Sequence, residues 1–106
     1  MADRHNETAI VEMPDEIDVM NAQEIAEQLR TACKPGMVVV ADMTRTTFCD
    51  SLCTQELLNA HYRAGQMGCE LRLAVRYEHV LRMWAAMGAD KVLAIYPSVA
   101  AATAAR

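Results

Sequence analysis

Met37-Val38-Val39-Val40-Ala41 restricts this chain more than any other segment. It shows no alternation of apolar and polar residues and is rich in β-branched side chains. A strand apolar on both faces needs cover on both, so it belongs in the middle of a sheet. The rest of the chain must therefore supply flanking strands and the helices that cover them. Its 106 residues suffice for one domain with one core.

Suitable elements flank the segment on both sides. Thr8 to Met13 is apolar enough for a strand and is closed by Pro14. Asp15 to Val19 is either a short strand or a turn into a helix. A helix is predicted from Asn21, whose side-chain oxygen can accept from first-turn amides while Glu24 reaches back. Ala22, Ile25, Ala26, Leu29 and Cys33 form its apolar stripe, and Pro35-Gly36 stops it. Asp42 to Thr47 reads as a polar loop, after which Phe48-Cys49 returns to apolar residues. A second helix is predicted from Asp50-Ser51 to about Gly65 or Gly68, with Leu57, Leu58, Ala60, His61, Ala64 and Met67 inside. Leu71 to Val75 is the next strand. Tyr77 to Met87 is a third helix, with Val80, Leu81, Trp84 and Met87 on one stripe and Gly88 as its stop. Val92 to Tyr96 is a final strand, and Pro97-Ser98 opens a terminal helix. Strands alternating with helices imply an α/β domain with a mostly parallel or mixed sheet of four to five strands and about four helices. Residues 1–7 are expected to be a flexible lead-in to a domain over 8–106.

Composition narrows the function. A formal charge of −4 and a pI near 5.2 argue against bulk attraction to nucleic acid or an anionic membrane. The chain holds no run of about 20 apolar residues that could span a bilayer. The polar start, Met1 to Glu7, does not resemble a secretory signal, so a cytoplasmic location is expected. Cys33, Cys49, Cys53 and Cys69 form no CxxC pair and are read as free, buried thiols. Neither GxGxxG nor GxxxxGK[ST] occurs, nor HExxH, nor GxSxG. No cofactor, no metal and no catalytic residue is therefore assigned.

The junction Thr46-Thr47-Phe48-Cys49-Asp50-Ser51-Leu52-Cys53-Thr54 is the candidate site. It follows the innermost strand and enters a helix, where free amides and the positive end of the helix dipole face outward. In α/β folds, partners gather where strands end and helices begin. A phosphate on a hydroxyl here would add a charge of about −1.5 to −2. The plainer alternative is that Asp50 or Ser51 merely caps the helix. Cys49 and Cys53, four apart, could ligate a metal with His61 or act as a redox switch. Packing is the ordinary role of such thiols.

The order of these elements resembles a bacterial STAS domain of the anti-sigma-factor antagonist type. Asp15-Glu16-Ile17-Asp18 stands where the family has "GEID", followed by the family-like Asn21-Ala22. Thr47-Phe48-Cys49-Asp50-Ser51-Leu52-Cys53 stands where it has "TFxDSSG". Gly68 to Leu73, Val80 to Ala89, and Ile95 to Ala100 follow in family order. The resemblance implies a signalling module in transcription regulation, not an enzyme. Such a module docks on an anti-sigma factor and serine kinase with a kinase-type ATP fold, through Asp50, Ser51, Leu52, Cys53 and Thr54. The family's phosphoacceptor is the second serine, and here that position is Leu52, which has no hydroxyl. Ser51 and Thr54 are the remaining candidate acceptors. The alternative is a STAS-like accessory or structural subunit of a larger complex, for example in lipid transport, without phospho-switching.

Overall fold

In the computed structural model, which describes residues 7–105, the elements run in the expected order. They are β1 (Glu7–Glu12), β2 (Glu16–Ile17), α1 (Ala22–Ala32), β3 (Met37–Met43), β4 (Phe48–Cys49), α2 (Ser51–Gln66), β5 (Glu70–Val75), α3 (Glu78–Met87), β6 (Ala94–Tyr96) and α4 (Val99–Ala104). The expected lead-in lies outside the described residues except for Glu7, which opens β1. Four strands form one all-parallel sheet in the order β1-β3-β5-β6, and β2 pairs with β4 in a separate two-stranded parallel ribbon.

The innermost strand is β3, as its composition requires. Val38, Val39, Val40 and Ala41 are all buried. Successive side chains point to opposite faces. Val39, Ala41 and Met43 join Leu71, Leu73 and Val75 of β5 under α1, α2 and α3. Val38 and Val40 join Ala74 on the other face, where α4 covers them through Ala102. The predicted α1 stripe is buried as expected, at Ala22, Ile25, Ala26, Leu29 and Cys33.

Three details differ from expectation. Asn21 makes no cap bond to the first turn of α1. Its Oδ1 accepts from the Asp18 amide (3.0 Å) and its Nδ2 donates to the Glu16 carbonyl (2.9 Å), so it pins the turn after β2. Met67 and Met87, predicted inside, are exposed, because each sits at a helix C-terminus beyond the sheet's cover. Val92 and Leu93 fall in a turn after a short 3-10 helix (Ala89–Lys91), and β6 begins only at Ala94.

Arg72 has a role the sequence did not announce. It is buried in β5, and its Nη1 donates to the carbonyls of Ala102 (2.6 Å) and Ala105 (2.9 Å). Its Nε and Nη2 form a fork on the Glu70 carboxylate at 3.1 and 3.2 Å, and its guanidinium lies 5.8 Å from the centre of the Tyr96 ring. One cation thus satisfies the end of α4 and holds it to the sheet. Among the described residues, no helix is long and apolar enough to cross a membrane.

Candidate functional site

The junction sits past the C-terminal ends of the strands, and its shape is set by short polar links. The loop after β3 is tied to the loop after β1. Buried Thr46 donates through Oγ1 to the Pro14 carbonyl (2.7 Å), and the Thr47 amide donates to the Asp15 carbonyl (2.7 Å). From the start of α3, His79 Nε2 donates to the Thr47 carbonyl. These links place β4 beside β2, with Phe48 opposite Glu16 and Cys49 opposite Ile17.

Asp50 then starts α2. Its backbone is extended, and Oδ1 accepts from the Cys53 amide at 2.9 Å. The Cys53 thiol and then its amide hold the Asp50 carboxyl below the ordinary carboxylate range. Capping is therefore what Asp50 does here.

The five predicted contact residues separate into two groups. Ser51 is exposed, Leu52 is 66 % exposed and Asp50 is half-buried. Cys53 and Thr54 instead face the core, at 1 % and 0 %. Neither of their side chains can meet a partner, and the Thr54 hydroxyl cannot reach a kinase. The correction follows from helix geometry: positions 53 and 54 lie four and three residues before Leu57, so all three share the inward face.

The Thr54 hydroxyl is fully used. It donates to the Asp50 carbonyl (2.9 Å) and accepts from the buried indole Nε1 of Trp84 (3.0 Å), with the Cys49 sulfur at 3.6 Å. The first turn of α2 is thereby fastened to α3. Cys49 and Cys53 are free and buried. Burial raises the Cys49 thiol, and burial together with the Asp50 carboxylate pushes Cys53 up to about 12. Thiols so protonated are poor nucleophiles and poor ligands. Among the described residues, no group of three or more His, Cys, Asp or Glu side chains is arranged to hold a metal.

Leu52 is open to solvent, and three further large apolar side chains are exposed on or next to the β2–β4 ribbon. The β2–β4 pairing ends at Ile17 opposite Cys49, so the turn at 18–20 and the start of α2 leave the ribbon from the same end. Asp18 is near enough to contribute to the raised Cys53 thiol. Val19 is 69 % exposed, Met20 87 %, and Phe48 46 %. Phe48 lies in the predicted junction but outside its predicted contact residues, and Val19 and Met20 were not predicted as site residues. Their signal was present in the sequence, as large apolar residues with no place in any helical or strand stripe.

A STAS domain family model matches residues 1–102. No curated protein matches the chain in sequence. Among solved structures, the chain is similar to the murine Solute Carrier 26 family member A9 anion transporter in its inward-facing state. The TM-score is 0.73 at 16 % identity, covering 90 % of this chain and 17 % of that one. The chain thus spans less than a fifth of that transporter chain, and the likeness is one of fold. The chain belongs to the STAS domain family.

Proposed function

We propose that this STAS domain is a regulatory binding module that docks on an anti-sigma factor with a kinase-type ATP fold. Asp50, Ser51 and Leu52 form the centre of its contact surface, and Val19, Met20 and Phe48 extend it. The observation that carries this reading is the exposed Leu52 in the first turn of the capped helix α2, with Phe48 exposed in β4 just before it and Val19 and Met20 exposed just after β2. Exposed apolar groups of this size are costly to leave in water and mark surfaces that other proteins cover. The chemistry on offer is contact: the thiols are buried and protonated, and the Thr54 hydroxyl is occupied.

Leu52 gives the docking an apolar centre and removes the family's switch at that position. Docking is then constitutive with respect to residue 52. Of the two candidate acceptors, Ser51 and Thr54, only Ser51 is exposed and within reach of a kinase. Titration calorimetry of the purified domain against the anti-sigma factor kinases of the same genome tests the proposal. Binding is expected, with Leu52→Glu weakening it by at least about 30-fold, the effect of losing one central anchor. A folded wild-type domain that binds none of them refutes it. Incubation with the bound kinase and ATP, followed by mass spectrometry, is expected to leave Ser51 unmodified. Stoichiometric phosphoserine at 51 would replace constitutive docking with a switch moved by one residue.

The absence of a hydroxyl at Leu52 favours one second reading, an accessory subunit permanently packed in a larger complex. Co-purification from the native cell with unchanging stoichiometry, and no exchange with free domain, would select it.

A further inference from the structure

Two thiols remain that neither the docking surface nor its helix uses. Cys33 is the C-cap residue of α1, and Cys69 is the residue just before β5. They are 36 positions apart in sequence, yet their Sγ atoms lie 2.6 Å from each other. That is about 0.6 Å beyond a covalent S–S bond and well inside the packing distance of unbonded sulfurs. Both side chains are buried, and both are free thiols.

The backbone holds them in place from both sides. The Cys33 amide donates to the Leu29 carbonyl (3.1 Å), closing α1. The Cys69 amide donates to the Ala64 carbonyl (2.8 Å), closing α2, and the Gly36 amide donates to the Gly68 carbonyl (2.8 Å). Gly68 has φ +77°, the left-handed conformation that turns the chain from α2 into β5. Two helix ends therefore meet at this pair. A crevice between α1 and α2, lined in part by Cys33, Leu29, Arg63 and Met67, reaches it with ≈ 10 Å³ of free space. That is about the room of one water, and on the other side Cys69 lines a wider open pocket beside Gly68 and Glu70.

We propose that Cys33 and Cys69 are a redox-sensitive modification site, converted by a peroxide into an intramolecular disulfide that latches the end of α1 to the start of β5. In the first step one thiolate attacks a peroxide oxygen, the O–O bond breaks, and a sulfenic acid and water result. In the second, the other thiol attacks the sulfenic sulfur, the S–S bond forms, and the hydroxyl leaves as water with that thiol's proton. The two sulfurs together give up two electrons, and the peroxide is reduced to two waters. Burial and the bond to Cys69 push the Cys33 thiol up to about 12, so the pair responds slowly, to sustained rather than brief oxidation. A dithiol reductant reverses the reaction by exchange.

The inference is independent of docking. The purified wild-type domain is incubated with hydrogen peroxide, alkylated and digested without reduction. The expected results are loss of two hydrogens in mass, a cross-linked peptide containing Cys33 and Cys69, and two thiols still free in denaturant. The disulfide closes a long loop holding β3, β4 and α2, so Tm is expected to rise by about 10 °C and fall back on reduction. Cys33→Ala and Cys69→Ala should each abolish the peroxide-induced rise. If a variant does not fold, the wild-type peptide map decides. No cross-link, a cross-link through Cys49 or Cys53, or sulfinic acid at Cys33 without cross-linking would each overturn the proposal.

Discussion

Replacing Thr54 by Val removes one oxygen from the core and leaves its shape almost unchanged. Thr54 and Trp84 are both 0 % exposed, so no water can take the place of the lost acceptor. The Trp84 indole N–H, now donating at 3.0 Å, would be buried without a partner. An unsatisfied buried donor of this kind costs about 1–3 kcal/mol. The other lost bond matters less, because the Asp50 carbonyl still accepts from the Thr54 amide at 2.9 Å. The new methyl gains some apolar burial, which offsets part of the penalty. The expected net loss is about 2 kcal/mol, or roughly 10 °C in Tm for a chain of this length.

Trp84 is the only tryptophan, so its fluorescence reports the site directly in a urea melt. Thr54→Ser is the control. It keeps the hydroxyl and deletes a methyl, for a cost of about 1 kcal/mol. The order wild type, Ser, Val in falling stability is expected. A Val variant within about 0.5 kcal/mol of wild type, or more stable than Ser, would show that the Thr54 hydroxyl does not hold α2 to α3.

Asp50→Ala should cost about 1 kcal/mol through loss of the α2 cap. Because the folded Asp50 carboxyl is held below its ordinary 3.8, the cap's contribution is full above that pH. It fades as pH falls through the lower folded value, so acid melts of the two proteins should converge there. Arg72→Met should lower stability by about 2–3 kcal/mol, since two charge-assisted bonds to the Ala102 and Ala105 carbonyls are lost. Hydrogen exchange should then quicken first in α4, and unchanged α4 protection would contradict the clamp. Gly88 ends α3 at φ +80° with open space where a Cβ would stand, so Gly88→Ala should cost about 1 kcal/mol from backbone strain alone. A Tm unchanged from wild type would refute that strain.

The sequence disclosed what periodicity and composition can encode. The apolar run at 37–41 became the central strand, and the Ala22-Ile25-Ala26-Leu29-Cys33 stripe became the buried face of α1. At the site, Asp50 was legible as a cap because that role needs only its own helix. Cys53 was legible as a buried thiol, but its place and that of Thr54 on the inward face of α2 conflict with their assignment to the contact set, because Thr54 is polar and the predicted α2 stripe begins at Leu57. Carrying its spacing back one turn would have reached both. Arg72 and Asn21 were illegible for different reasons. Arg72 meets α4 some 30 positions away, which no local pattern specifies, whereas Asn21 has local partners at Glu16 and Asp18 but turns back to them instead of capping α1. The Cys33–Cys69 approach is of the same kind as that of Arg72, created only by the β3–α2–β5 crossover.

That crossover also keeps the two sites apart. α2 carries the docking junction at its start and leads into Cys69 after its end. Sixteen helical residues put roughly 24 Å between the two ends. The disulfide forms from neutral thiols and carries no charge, so it exerts no direct electrostatic effect on a charge at Ser51. α2 and α1, which runs from beside Met20 to Cys33, are the elements that could couple them, and the first turn of α2 is already fastened by Asp50, Thr54 and Trp84. Tightening the far end has little left to order at the near end. Oxidation should accordingly raise Tm and leave partner affinity unchanged within about twofold, roughly 0.4 kcal/mol. A several-fold gain in affinity on oxidation would mean that the near end of α2 is looser in solution than its hydrogen bonds imply.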